Sequence, residues 1–298
     1  MHRAAYADLH PSKIPLTSLS DTRSPFELTA VVPAFNRRTT LARCLDSILN
    51  QTRPVEHIIV VDDGSTDGTE EWIRSTYPTV QLISQPNQGV SSARNAGIRA
   101  APTDWIAFLD SDDEWLSNKI ERQIAFLQTN SECKTCHTQE NWIFRGKQKK
   151  VPLAYAKYGG WIFAHCLPVC AISPSTALIH RSVFEEIGYF DEALPACEDY
   201  DLWLRIASRY SVALVDEALI MKHGGHSDQL SNQRGLDAYR IKALENILNT
   251  AVLKPEYRTL AIETLQSKCA ILANGAEKRE RTEEAERFRS ISQRYQID

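Results

Sequence analysis

Between residues 27 and 130, short apolar runs alternate with segments of helical period, and no other feature of the chain constrains its fold as tightly. Residues 28–35 form a continuous apolar run, the pattern of a strand buried on both faces. Leu41, Cys44, Leu45, Ile48 and Leu49 then recur at the spacing of one helix face. The β-branched run 57–61 stops at Asp62-Asp63-Gly64-Ser65, a turn and N-cap composition. A helix over 69–77, a strand over 80–84, a helix over 91–100 and a strand over 105–109 follow, and Ile120, Ile124 and Leu127 mark one more helix. This alternation predicts βαβ units: an α/β fold with a mostly parallel central sheet and helices on both faces. Ligands of such sheets sit at the carboxyl ends of strands. Three polar or acidic clusters fall there, at 33–36, 62–65 and 110–113.

After Asn130 the pattern loosens. A strand is expected over 133–144, then a basic, Gly-containing loop over 146–160. A strand over 176–180, helices over 182–187 and 199–210, and a strand opening at 212–215 complete this part. From Leu236 the chain is helical, and 277–298, dense in Glu and Arg, reads as a solvated helix. Residues 1–25, rich in Ser, Thr and Pro without an apolar period, read as a flexible arm. The expected organisation is an arm at 1–25, a domain at 26–231 with halves at 26–130 and 131–231, and a C-terminal helical extension at 232–298.

With 34 basic against 38 acidic residues and a formal net charge of -4, no basic surplus points to nucleic acid. The longest apolar runs are strand-sized, well short of the ~20 residues of a membrane span. No charged start leads into an apolar signal region. Seven scattered cysteines predict reduced thiols in a soluble, cytoplasmic protein. Cys133-Lys134-Thr135-Cys136-His137 has half the spacing of a zinc site but no second pair, so its thiols read as strand residues.

Asp110-Ser111-Asp112-Asp113 sets three carboxylates within four residues at a strand end. They repel one another unless a cation sits among them, and hard ions such as Mg²⁺ or Mn²⁺ take oxygen ligands completed by substrate phosphates. Capping of a helix N-terminus accounts for one or two of these residues but not three. In Asp62–Ser65 a carboxylate can accept from a nucleobase N–H or a ribose hydroxyl. Residues 88–95 open a helix whose N-terminus and Arg94 can face phosphate, the competing reading being a capped helix with a surface arginine.

Taken in order, Ala30-Val31-Val32-Pro33-Ala34-Phe35-Asn36, Val61-Asp62-Asp63-Gly64-Ser65-Thr66-Asp67, residues 87–95 and Phe108-Leu109-Asp110-Ser111-Asp112-Asp113 resemble the successive signatures of family 2 glycosyltransferases. These are inverting enzymes with the GT-A fold, and the resemblance runs from about residue 27 to about 231. It implies that Pro33 and Asp63 line the nucleoside pocket, with Phe35, Asn36, Arg94, Asp110 and Ser111 also on the nucleotide-sugar. Asp110 and Asp112 would form the family's DxD motif, holding Mn²⁺ or Mg²⁺ and the diphosphate, with Asp113 sharing that role. Glu198-Asp199-Tyr200-Asp201-Leu202-Trp203-Leu204-Arg205 is similar to the family's acidic pair, which makes Asp199 the general base. Inversion does need a carboxylate opposite the leaving group. Glu198 and Asp201 fit an acidic helix N-terminus better.

His226-Ser227-Asp228-Gln229-Leu230-Ser231 is similar to the family's late histidine segment, so His226, and less directly His223, is a candidate metal or phosphate contact. Trp142, Trp161 and Trp203 are candidates either for stacking on sugars or for the core. The implied reaction moves a sugar from a nucleotide diphosphate, a UDP-sugar by default, to a hydroxyl of a glycan, lipid-linked glycan or small molecule. Peripheral membrane association is compatible with it. A sugar nucleotidyltransferase would carry a Gly-rich loop after the first strand, and 33–38 has no Gly. A non-catalytic nucleotide-sugar binding or scaffold protein would have no use for Asp110, Asp112 and Asp199 together.

Overall fold

The computed structural model describes residues 26–225, Gln229 and residues 235–296. The expectations for the arm at 1–25 and for His226 lie outside the described residues. Elements β1 (Leu28–Ala34), α1 (Leu41–Leu49), β2 (His57–Asp62), α2 (Thr69–Thr76), β3 (Gln81–Ser84), α3 (Val90–Ala100) and β4 (Trp105–Phe108) form the alternating half. Its strands are parallel in the order β3-β2-β1-β4.

The strand period of two explains why these runs are continuously apolar. Ala30 and Val32 of β1, Ile58 and Val60 of β2, and Ala107 of β4 join one core with Leu41, Cys44, Leu45 and Ile48 of α1. Val31, Ile59, Val61, Ile106 and Phe108 face the opposite core, with Ala93 and Ile98 of α3. Leu49, counted with the α1 face, is exposed at the helix end.

The second half comprises β5 (Glu114–Trp115), α4 (Lys119–Thr129), β6 (Thr135–Phe144), β7 (Lys147–Lys149), α5 (Phe163–Cys166), β8 (Leu178–His180), α6 (Arg181–Ile187), α7 (Glu198–Arg209) and β9 (Ala213–Gly224). It continues the sheet as β4-β8-β6-β9-β5 with mixed directions: β8 is antiparallel to β4 and β6, and β9 runs parallel to β6. The two-residue strand β5, which no periodicity announces, pairs with β9 and ties the 110–113 turn to that strand. Part of the expected 146–160 loop is β7, a hairpin partner of β6. Among the expected strand thiols, Cys136 is buried on β6, whereas Cys133 lies before the strand and is partly exposed. Trp203 is core, Trp161 is exposed, and the Trp142 ring lies 5.3 Å from that of Tyr155.

The chain ends in α8 (Leu236–Thr250), α9 (Pro255–Glu277) and α10 (Thr282–Arg294). Ile241, Leu244 and Ile247 of α8 and Ile262, Leu265 and Cys269 of α9 belong to the same core as Phe108, Tyr200 and Trp203. These helices therefore close that core and do not stand apart from it. In α10, expected to be solvated all round, Ala285, Phe288 and Ile291 are buried, so the Glu and Arg residues form only its outer face. No described helix is long and apolar enough to cross a membrane.

Helix α3 approaches β1 so closely that a Cβ on Gly97 would lie 2.3 Å from Val31 Cγ1. Gly97→Ala should lower the unfolding free energy by about 1–3 kcal/mol through overpacking, despite a helix-propensity gain of up to ~1 kcal/mol. In a denaturant-melt double-mutant cycle, adding Val31→Ala should cost less than the sum of the two single changes.

Candidate functional site

The sheet order reverses between β1 and β4, and the crevice forms there. Val31 O accepts from Leu109 N at 3.1 Å and Ala34 O from Asp63 N at 2.8 Å. Successive residues of a strand present their backbone groups to opposite neighbours, so Val31 and Pro33 face β4 while Val32 and Ala34 face β2. The β1–β4 ladder ends at Val31↔Phe108. Pro33, which has no N–H to give, thus sits where β4 has already turned away, and a central strand tolerates it.

The loop after β1 is locked to the loop after β2. Asn36, in the left-handed region at φ +52°, donates its N–H to Ser65 Oγ at 2.8 Å and accepts from Thr66 N at 2.8 Å. Ser65 Oγ in turn donates to the buried Asp62, whose carboxyl burial pushes above its usual range. Asp63 is also buried and accepts from Gln85 Nε2 at 2.7 Å, Gln88 N at 2.9 Å and Gly89 N at 2.8 Å. Both Asp63 oxygens thus hold the segment that opens α3. Gly64 makes this possible: a Cβ there would lie 2.8 Å from Asn87 N. Phe35 remains exposed at the mouth.

At the end of β4, Asp110 N donates to Ser175 Oγ at 3.1 Å, and Ser175 Oγ donates to Asp113 Oδ2 at 2.6 Å. Asp113 Oδ1 accepts from His223 N at 2.9 Å. Burial, then Asp112 and Asp110 alongside, push the Asp113 carboxyl well up. Both Asp113 oxygens thus fasten the turn to the rest of the sheet. Ser111 is buried in the turn, and Arg43 Nη2 donates to the Asp112 backbone oxygen at 2.6 Å.

Arg94 is not the surface arginine of the competing reading. Its guanidinium is buried, donating to Asp110 Oδ1 at 2.7 Å and to Glu198 Oε1 at 2.6 Å. Burial opposes its charge, but Asp110 and Glu198 hold it on. Glu198 is correspondingly no surface helix-end charge; burial and Asp199 push it up to about 7 against the pull of Arg94. Asp201 does serve the helix, pairing with Arg205 at 2.7 Å. Through Arg94 the N-terminus of α7, and with it Asp199, is brought to the Asp110 turn.

Asp199 is partly exposed, and its Oδ2 accepts from Cys170 Sγ at 2.9 Å. Burial, then Asp199, raise the Cys170 thiol well above its usual range, so it stays protonated as a donor. Lys222 Nζ donates to Ser173 Oγ at 2.9 Å. Burial works against the Lys222 charge, yet Glu140, Asp113 and Asp110 raise its pKa. Lys222, Cys170 and Ser175 escaped the sequence reading. A lysine directly after the apolar stretch 218–221 was the one available signal, and Cys170 and Ser175 carry none.

Carboxylates from independent strands at a switch-point crevice, joined by a buried arginine to the acidic start of a later helix, sit where α/β folds of the GT-A class take their ligands. The chain belongs to glycosyl transferase family 2, whose family description matches residues 29–188. It is 28% identical over 239 residues to the UDP-Glc:alpha-D-GlcNAc-diphosphoundecaprenol beta-1,3-glucosyltransferase WfaP of Escherichia coli, covering 78% of this chain and 89% of that one. It is 29% identical over 230 residues to an uncharacterized glycosyltransferase of Rickettsia bellii, covering 76% of this chain. The chain spans only 33% of that relative's length. Among solved structures, S. aureus TarS 1-349 in complex with UDP-GlcNAc matches with a TM-score of 0.65 at 16% identity, covering 91% of both chains.

Removing the Arg94 guanidinium strands two carboxylates. Arg94→Met should cost about 3–5 kcal/mol in denaturant unfolding. A second outcome concerns pH. Glu198 has an ordinary value of 4.5 and is raised to about 7 in the fold, so the folded state binds its proton more tightly. Its contribution to stability is therefore full below about 4.5 and lost as pH rises through about 7. Glu198→Gln should remove that part of the pH dependence, seen as a flatter melting profile across this window.

Proposed function

We propose that this protein transfers a sugar from a nucleotide diphosphate, a UDP-sugar in the first instance, to an acceptor hydroxyl by an inverting single displacement. One observation carries this reading: the Arg94 bridge sets the acidic start of α7 against the Asp110 turn. A carboxylate able to take a proton, Asp199, thereby stands beside carboxylates suited to a diphosphate's counter-ion. WfaP is named for a UDP-Glc donor and a diphosphoundecaprenol-linked acceptor, and TarS is crystallised with UDP and UDP-GlcNAc. These names favour a UDP-sugar and a lipid-linked diphospho-sugar here as well.

The donor set at the turn suits Mn²⁺ or Mg²⁺. Asp110 and Asp112 offer hard carboxylate oxygens, and such ions take one or two carboxylates and fill the remaining positions with phosphate and water. When bound, the ion supplies charge neutralisation for the departing diphosphate. Asp113, occupied by Ser175 and His223, stays outside this set. The protein's own part is orientation and proton transfer. Pro33, Phe35 and Asn36 form the β1 side of the crevice, while Asp63 shapes its floor by fixing Gln88 and Gly89. Arg94 holds Asp110 in place without touching the donor. Asp199 takes the proton of the acceptor hydroxyl, and the Cys170 S–H keeps its carboxylate oriented.

Asp199→Asn keeps the shape and removes the basicity. It should lower transfer on the order of 100- to 10,000-fold while leaving UDP affinity near wild type. Isothermal titration together with a transfer assay checks this, and retention of most transfer would assign the base elsewhere. Asp112→Asn should weaken UDP binding in Mn²⁺ and scarcely change it in EDTA. Equal loss in both conditions would mean that Asp112 acts through the fold and not through a metal.

A further inference from the structure

We infer that the β6–β7 hairpin and the loop following it form a docking surface for a membrane bearing anionic headgroups. The charge distribution is the first observation. Although the chain is acidic overall, no Asp or Glu occurs between Glu140 and Glu185. Two of the cations in that stretch are used internally: Lys157 pairs with buried Glu140 at 3.1 Å, and Arg181 donates to the backbone oxygens of Ala101 and Thr103. Arg145, Lys147, Lys149 and Lys150 are all exposed, and none has a carboxylate partner among the described residues.

The second observation is how the hairpin arranges them. Arg145 and Gly146 both have positive φ, +48° and +74°, forming a tight two-residue turn between Phe144 and Lys147. Phe144 pairs with Lys147 and Trp142 with Lys149, and directly paired residues share one sheet face. One face thus presents Trp142, Phe144, Lys147 and Lys149 together, with the Arg145 guanidinium 5.4 Å from the Phe144 ring.

Exposed apolar side chains accompany this cationic ribbon: Phe144 is 41% exposed and Leu153, just beyond the ribbon, is 85% exposed. Basic residues interleaved with Trp, Phe, Tyr and Leu suit a bilayer interface, where headgroups meet the charges and acyl carbons meet the apolar groups. A nucleic-acid backbone would reward the charges but leave Phe144 and Leu153 unused.

The surface is joined to the site. β6 runs beside β9, pairing Ile143 with His223 and Phe144 with Gly224, and His223 N holds Asp113. Docking through the hairpin would set the acidic crevice close to the headgroups. The inference needs only charge and exposure, so it stands apart from the transferase reading.

The test uses the whole chain in flotation with phosphatidylcholine vesicles, with and without phosphatidylglycerol. Wild type should float with anionic vesicles, fail to float with neutral ones, and release as salt rises. Lys147→Gln/Lys149→Gln/Lys150→Gln should weaken binding on the order of a hundredfold, at about fivefold per basic residue. Its melting temperature should not change, because these side chains are exposed. Leu153→Ser should weaken binding at every salt concentration. No flotation of wild type with anionic vesicles, undiminished binding by the triple variant, or tighter retention by a single-stranded oligonucleotide would each overturn the assignment. Asp199→Asn should float as wild type does, which separates this outcome from any failure of the transfer assay.

Discussion

A single guanidinium stands between the two halves of the crevice. Arg94 comes from α3, Asp110 from the turn after β4, and Glu198 from the start of α7. Burying an arginine costs several kcal/mol of hydration, recovered only when its donors are met with good geometry. Here two carboxylates meet it at 2.6 and 2.7 Å. The expense of leaving any one of the three groups unpaired holds the other two in place. α7 therefore cannot shift without stranding a buried charge, and the position of Asp199 follows from that constraint.

The same logic sorts the other acids. Asp62, Asp63 and Asp113 are buried and engaged by Ser65, by the Gln85–Gly89 segment, and by Ser175 and His223. Their work is to hold loops at the carboxyl ends of the strands, where the β1–β4 ladder has ended and backbone groups need partners. Asp110, partly exposed, and Asp199 remain beside the crevice, which Asp112 also adjoins through the turn. An acid-rich motif thus divides into buried acids that hold loops and partly exposed acids beside the crevice, with burial as the dividing quantity.

The second half of the sheet shows a different use of charge. The enclosed pair Glu140 and Lys157 sits inside the sheet corner, with Glu140 held at about 2 because Lys157 and Lys222 outweigh its burial. Lys222 then carries positive charge toward Asp110 and Asp113. Cations that follow along the chain, from Arg145 to Lys150, are left to solvent. Internal pairing near the crevice and exposed cations at the hairpin, without carboxylate partners among the described residues, give this half of the molecule two distinct electrostatic surfaces.

Most of the fold was written in local pattern. β1, α1, β2, α2, β3, α3 and β4 follow from periods of two and 3.6, because each buries a regular face against a neighbour already implied by the alternation. The crevice position and the acids at 62–63, 110–113 and 198–199 were legible for the same reason. Strand β5 and hairpin strand β7 were not, since two or three residues carry no period and take their conformation from β9 and β6. The buried face of α10 hid among its charges, although Ala285, Phe288 and Ile291 recur at three-residue steps. Residue type and order determined which carboxylates the chain could bring to one edge. Only tertiary structure decided which of them are buried and which reach the crevice, because burial and partners from distant segments, such as Ser175 for Asp113 and Glu198 for Arg94, leave no trace in local spacing.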